Sequence, residues 1–296
     1  MNKKDVLFFM MASIVWGATW IIIKGQVMIM SPEWSVFYRF LFALILMAIL
    51  MIVLKKSFFI ARDAYFVILV FGFFQFFLNF NAVYISETFI VSGLVAILFA
   101  LLFIPNALFS IIFLGSRYSK HFYVGSVISI IGIFLLFYDR LPTDITDQNV
   151  FITGILFAIL GVLSSSVANV LQASEIAKKQ PLFALLFWSM CIGTLFNGTY
   201  AMMTIGYEPV SFSLSLILGF LYLSLIGTVF AFYIYIELTR SIGAAKAAYT
   251  GIVIPMIAMT LSSIFEGFVW SNLSILGAFV GLIGMYLALN SNSLKR

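Results

Sequence analysis

Long apolar runs, broken by short clusters of charged and turn-forming residues, organise this chain from end to end. In the first half they lie near Val6 to Ile23, Trp34 to Leu54, Ala64 to Tyr84, Phe89 to Leu114 and Phe122 to Tyr138. The second half repeats the pattern near Phe151 to Leu171, Leu182 to Ile205, Leu214 to Ile236, Ala244 to Phe265 and Asn272 to Leu289. A helix crosses a bilayer in about 20 apolar residues, and most of these runs are of that order. They are continuous, as from Leu41 to Leu54, whereas the strands of a membrane barrel alternate apolar and polar positions. The pattern predicts an all-α integral membrane protein with ten transmembrane helices.

The Lys and Arg residues set the orientation, because short basic loops stay cytoplasmic. Lys3, Lys4, Lys55, Lys56, Arg62, Arg117, Lys120, Lys178, Lys179, Arg240, Lys246, Lys295 and Arg296 fall on one side of a ten-helix bundle. Only Lys24, Arg39 and Arg140 do not. Both termini are therefore expected in the cytoplasm. The segment Asp139 to Asn149 carries three Asp residues and is expected outside.

An offset of roughly 150 residues brings landmarks of the two halves into register. Pro32 meets Pro181, Glu87 meets Glu237, Gly93 meets Gly243, Pro105 meets Pro255, Gly125 meets Gly277 and Gly132 meets Gly284. Five spans per half is an odd number, so the second half enters the membrane from the opposite side. The expected organisation is two inverted five-helix repeats, residues 1–140 and 151–296, joined by an outer linker at 141–150. Secondary transporters are built this way, with a site between the repeats exposed alternately to either side.

Composition removes the competing classes. The chain of 296 residues is 64% hydrophobic and 9% charged, far from a soluble domain. The net charge of +5 is scattered through loops rather than gathered in a patch, so no nucleic-acid partner is expected. One cysteine, Cys191, excludes an internal disulfide. There is no phosphate-cradling loop, paired-Asp metal motif, His and Cys cluster or Ser elbow, so no enzyme, cofactor or metal is expected. Asp144 with Asp147 reads as solvation of the linker. Partners are a small-molecule solute and membrane lipids; nothing sets the oligomeric state, and a monomer is compatible with the sequence.

Several residues in this order resemble the drug/metabolite transporter superfamily, and within it the EamA-type ten-helix transporters. The first half has Trp16-Gly17, Lys24, Pro32 and Arg39. The second has Gly227-Thr228, Tyr233, the run Gly243-Ala244-Ala245-Lys246-Ala247, then Pro255, Glu266, Gly277 and Gly284. The resemblance covers nearly the whole chain. It implies export of amino acids, their derivatives, other metabolites or drugs from the cytoplasm, across the cytoplasmic membrane of a bacterium. In one departure, Pro255 is followed eleven residues on by Glu266, but Pro105 by Ser116. Ser164-Ser165-Ser166 also replaces the aromatic-small pair usual at that place.

Polar side chains within spans are the first candidates for a site. Gln75 and Asn79 share a face of the third span; Ser165, Asn169 and Gln172 share one on the sixth. They either face each other across a cavity or tie helices together. Trp16 and Trp20, four apart on the first span, line a passage or pack. Pro105 and Pro255 each free a carbonyl four residues earlier, for ligand binding or helix bending, or merely kink their helices. Arg39 and Lys24 either receive a carboxylate and gate the outer mouth or snorkel to the interface. Glu266 reads as a cap or ion-pair partner rather than a proton site. An uptake transporter uses the same machinery. A lipid-modifying membrane enzyme would need clustered ionisable residues, which the spans lack.

Overall fold

The computed structural model describes all residues except 28, 91, 139–147, 211–212, 266–268 and 291–296, and not the side chains of residues 20, 21, 24, 92–94, 137, 262 and 265. Most of the linker and Glu266 thus lie outside the described residues, as do the side chains of Trp20 and Lys24. The elements among the described residues are helices. Helices α1 (Lys3–Val27), α2 (Pro32–Val53), α3 (Arg62–Phe89), α4 (Ser92–Ala100 continuing as Phe103–Leu114) and α5 (Lys120–Phe137) form the first half. Helices α6 (Gln148–Gln172), α7 (Leu182–Thr204), α8 (Leu214–Ile242), α9 (Ala244–Ala247 continuing as Thr250–Phe265) and α10 (Asn272–Leu289) form the second.

Eight helical stretches among the described residues are long and apolar enough to cross a bilayer. Large apolar side chains such as Phe66, Phe113, Met203 and Phe279 face outward, the reverse of a soluble protein. The protein is an integral multi-pass membrane protein. Helix starts are set by ordinary capping: Ser31, Ser213 and Ser271 accept backbone N–H groups of Trp34, Leu216 and Ser274, and Pro32 takes the first position of α2, where no N–H is needed.

Helix packing has a two-fold pattern. α1 packs on α8 and α9, and α6 packs on α3 and α4; α2 lies against α7 and α8, and α7 against α2 and α3. Exchanging each helix for the one five places later converts the set into itself. The fifth pair, α5 with α10, is the tightest contact, and it is antiparallel. A Cβ on Gly125 would meet the Gly284 carbonyl and Ala288 N at 2.5 Å, and one on Gly277 would lie 2.2 Å from Leu136 N. The Ser274 hydroxyl closes the far end by donating to the Leu136 carbonyl at 3.0 Å. Only glycines allow backbones this close.

Three features depart from the apolar pattern. The third apolar run ends at Tyr84, but α3 continues to Phe89 and carries Glu87 inside it, because backbone hydrogen bonding does not stop where hydropathy does. Within α3 the stretch Gly72–Asn79, and within α8 the stretch Tyr222–Phe230, is π-helical, with bonds from i to i+5. Both α4 and α9 are broken within their first half, at residues 101–102 and 248–249.

Candidate functional site

A cavity of about 140 Å³ lies between the halves. Trp16 and Thr19 reach it from α1, Arg39 from α2, and Gln75, Asn79, Phe80 and Tyr84 from α3. Phe99 comes from α4. The second half supplies Ser165 and Asn169 from α6, Phe232 and Tyr235 from α8, and Thr250, Gly251 and Pro255 from α9. The structure thus brings seven of the sequence candidates together: Trp16, Arg39, Gln75, Asn79, Ser165, Asn169 and Pro255.

Gln75 and Asn79 stand on the π-helical stretch of α3, buried to within 3% and 5% exposure. Gln75 Oε1, Asn79 Oδ1 and Asn169 Nδ2 find no protein partner. Unpaired buried amides are costly, and in a cavity they are the groups a bound solute would satisfy. Trp16 Nε1 donates to the Gly227 carbonyl at 3.1 Å, and its ring packs tilted on Tyr235 and edge-on to Phe232. It therefore both packs and lines the cavity.

Arg39 is 1% exposed. Its Nε donates to Thr228 Oγ1 at 3.1 Å, Nη1 to the Tyr84 hydroxyl at 3.2 Å and Nη2 to the Gly227 carbonyl at 3.4 Å. The guanidinium also lies 4.6 Å from the ring centre of Phe80. The Gly227 carbonyl therefore holds α1, α2 and the π-helical stretch of α8 together. On the opposite half the corresponding seam is neutral. Asn197 of α7 accepts from Asn81 Nδ2 at 2.6 Å and donates to the Phe76 carbonyl at 2.9 Å, while Ser164 of α6 donates to the Phe74 carbonyl at 2.7 Å.

The remaining candidates are placed elsewhere. Gln172 is buried at the end of α6, with both amide atoms unpartnered and no part in the cavity lining. Pro105 is the third residue of the second piece of α4, where a missing N–H costs little. The Leu101 carbonyl it frees accepts from Ile104 N at 3.0 Å. Pro255 is interior to its helix, and the residue four before it, Gly251, borders the cavity. Thr19, Tyr84, Phe232 and Tyr235 do not stand out in the sequence; an aromatic-rich membrane chain offers no signal that distinguishes them. Among the described residues, no three His, Cys, Asp or Glu side chains gather as a metal site requires.

Contacts between the halves close both ends of the cavity's helices. At one end Ser31 N donates to Glu208 at 3.1 Å and Trp34 Nε1 to the Gly206 carbonyl at 3.0 Å. At the other, Lys4 pairs with Glu237 at 3.3 Å and the Ser241 hydroxyl donates to Asp5 at 2.8 Å.

Known proteins resemble this chain over its whole length. "Protein PagO" of Salmonella typhimurium is 24% identical over 99% of this chain and 96% of its own. A "Probable amino-acid metabolite efflux pump" of the same organism is 22% identical over 97% and 95%. The "Uncharacterized transporter YdfC" of Bacillus subtilis is 28% identical over 74% and 69%. A solved crystal structure superposes with a TM-score of 0.75 at 16% identity, covering 97% of both chains, so the fold is shared. The model of the EamA-like transporter family matches twice, at residues 3–138 and 152–290. A bundle whose packing maps onto itself, with a cavity lined from both halves and two matches to one family model, belongs to the EamA-like transporter family.

Proposed function

We propose that this protein is a secondary transporter that exports a small organic solute, an amino acid, amino-acid derivative or other metabolite, by alternating access. In this reading all ten helices span the cytoplasmic membrane of a bacterium, both termini are cytoplasmic, and the two five-helix halves are inverted repeats. The antiparallel contact of α5 with α10 supports the inversion, since these helices hold the same place in their halves. The observation that carries the function is the cavity's lining, which joins polar groups on the neighbouring helices α3 and α6 with Trp16 of α1 and is contributed by both halves.

A solute that hydrogen-bonds Gln75, Asn79 and Asn169 pairs groups that otherwise lack partners. Rocking one half on the other then breaks the Ser31–Glu208 and Trp34–Gly206 contacts at one end while those of Lys4 and Asp5 hold, or the reverse. The relative named an amino-acid metabolite efflux pump supports export and this solute class. The test uses proteoliposomes loaded with mixed amino acids and small metabolites, with solute loss followed by mass spectrometry. The expected result is selective loss that falls with Asn169→Leu; no protein-dependent loss from any pool would overturn the reading.

A further inference from the structure

We infer that Arg39 is an anion receptor, and that the transported solute carries a single carboxylate on an apolar or aromatic body. This rests on the transporter reading above and adds the charge of what is carried.

Arg39 is a fully buried cation, and a guanidinium does not shed its proton inside proteins. Buried charges are ordinarily paired, and leaving one uncompensated costs several kcal/mol. No described carboxylate lies within 4.0 Å of Arg39. Glu87, three residues beyond Tyr84 on α3, does not reach it. Arg39 instead rests on a hydroxyl of Thr228, a hydroxyl of Tyr84 and a backbone carbonyl, at 3.1 to 3.4 Å. These are neutral and long compared with the roughly 2.7 to 2.9 Å of an Arg–carboxylate bond. Three of its five N–H groups are used, leaving two for a ligand.

The rest of the lining selects against other charges. Arg39 is the sole charged residue among the described groups around the cavity, so an ammonium-only solute meets repulsion and no counterion. Beyond the guanidinium the walls are aromatic: Trp16, Phe80, Phe99 and Phe232. A carboxylate drawn to Arg39 competes with the Gly227 carbonyl, the acceptor that also holds Trp16 Nε1. Occupancy is thereby linked to the seam of α2 with the π-helical stretch of α8.

The experiment measures protection of the purified detergent-solubilised protein against thermal unfolding by three matched probes: 3-phenylpropionate (anion), phenylalanine (zwitterion) and phenylalaninamide (cation). Both carboxylates are expected to stabilise, with the amide at least about twentyfold weaker. Arg39→Met is expected to abolish the preference, and Arg39→Lys to keep it in weakened form, because lysine holds the charge but not the fork. Stabilisation of the wild type by phenylalaninamide equal to that by the carboxylates would overturn the inference. So would an Arg39→Met protein that folds and keeps the preference, since Arg39 would then be only a strut between α2 and α8. If Arg39→Met does not fold, the wild-type probe series still decides. Selective efflux of cationic or neutral solutes from proteoliposomes would sink this inference alone, whereas absence of all efflux would sink the transporter reading.

Discussion

Substituting Gly132 by alanine tests the close backbone contact between α5 and α10. A Cβ at this position would lie 2.2 Å from Gly281 N, 2.4 Å from Gly281 Cα and 2.9 Å from the Gly277 carbonyl oxygen. All three are backbone atoms of α10, so no rotamer change can make room. The nearest atom is about 1 Å short of ordinary contact, so α5 and α10 must part by that much locally. A gap of this size forfeits about a quarter to a half of each van der Waals contact along the seam. Overpacking of this kind costs about 1 to 3 kcal/mol, and the better helix propensity of alanine returns about 0.5 to 1 kcal/mol. The expected net loss is up to about 2.5 kcal/mol, a fall of up to several degrees in the unfolding midpoint. Two companions isolate the cause. A Cβ on Gly25 meets nothing within 4 Å, and one on Gly281 points toward Ile252 and Met256 with its nearest atom at 3.5 Å. Gly25→Ala and Gly281→Ala are therefore expected to match or slightly exceed the parent, although Gly281 sits in the same contact. The assay is fluorescence-detected size exclusion of detergent-solubilised protein after graded heating. A Gly132→Ala protein as stable as Gly25→Ala would refute the backbone contact between α5 and α10.

Other perturbations separate structure from transport. Asn197→Leu leaves Asn81 Nδ2 with the Phe77 carbonyl as its one acceptor and takes the Asn197 donor from the Phe76 carbonyl, and it is expected to lower stability by about 1 to 2 kcal/mol in the same heating assay. Trp16→Phe keeps an aromatic ring but loses the bond to the Gly227 carbonyl; the protein is expected to fold and solute efflux from proteoliposomes to slow by about tenfold, the scale of one lost hydrogen bond. Lys4→Ala removes an ion pair whose lysine side chain is 61% exposed, so stability is expected to change by less than about 0.5 kcal/mol on heating.

Much of this molecule is legible in its sequence because bilayer burial writes a coarse signal of apolar runs about one membrane thick. The helical class and the break points between most helices follow from it, while the family resemblance is carried by motifs such as Trp16-Gly17 and Gly243-Ala244-Ala245-Lys246-Ala247. The polar candidates follow from a second physical fact, that hydrogen-bonding groups are not placed in a bilayer without partners or a cavity. Gln75, Asn79, Ser165 and Asn169 therefore stand out, and they converge. Gln172 obeys the same rule yet is not part of the cavity lining, since spacing along a helix fixes a face but not what that face meets. Tyr84 and Thr228 are not legible as partners of Arg39, because those contacts join residues 45 and 189 positions apart in the chain. Glu87 is read only as a repeat landmark and not as a residue inside a helix, because its charge ends an apolar run without ending the helix.

The paired π-helical stretches leave no trace in hydropathy, yet they set the rotational phase of everything beyond them. One residue turns an α-helix by about 100°. Deleting a single residue from Tyr222–Phe230 and letting the stretch relax to α geometry would swing Phe232 and Tyr235 off the cavity; the same excision in Gly72–Asn79 would carry away Tyr84. The two stretches fall at matching places in the two segments that match the family model, so the same offset occurs twice. The aim of the lining depends on that offset from both sides of the cavity.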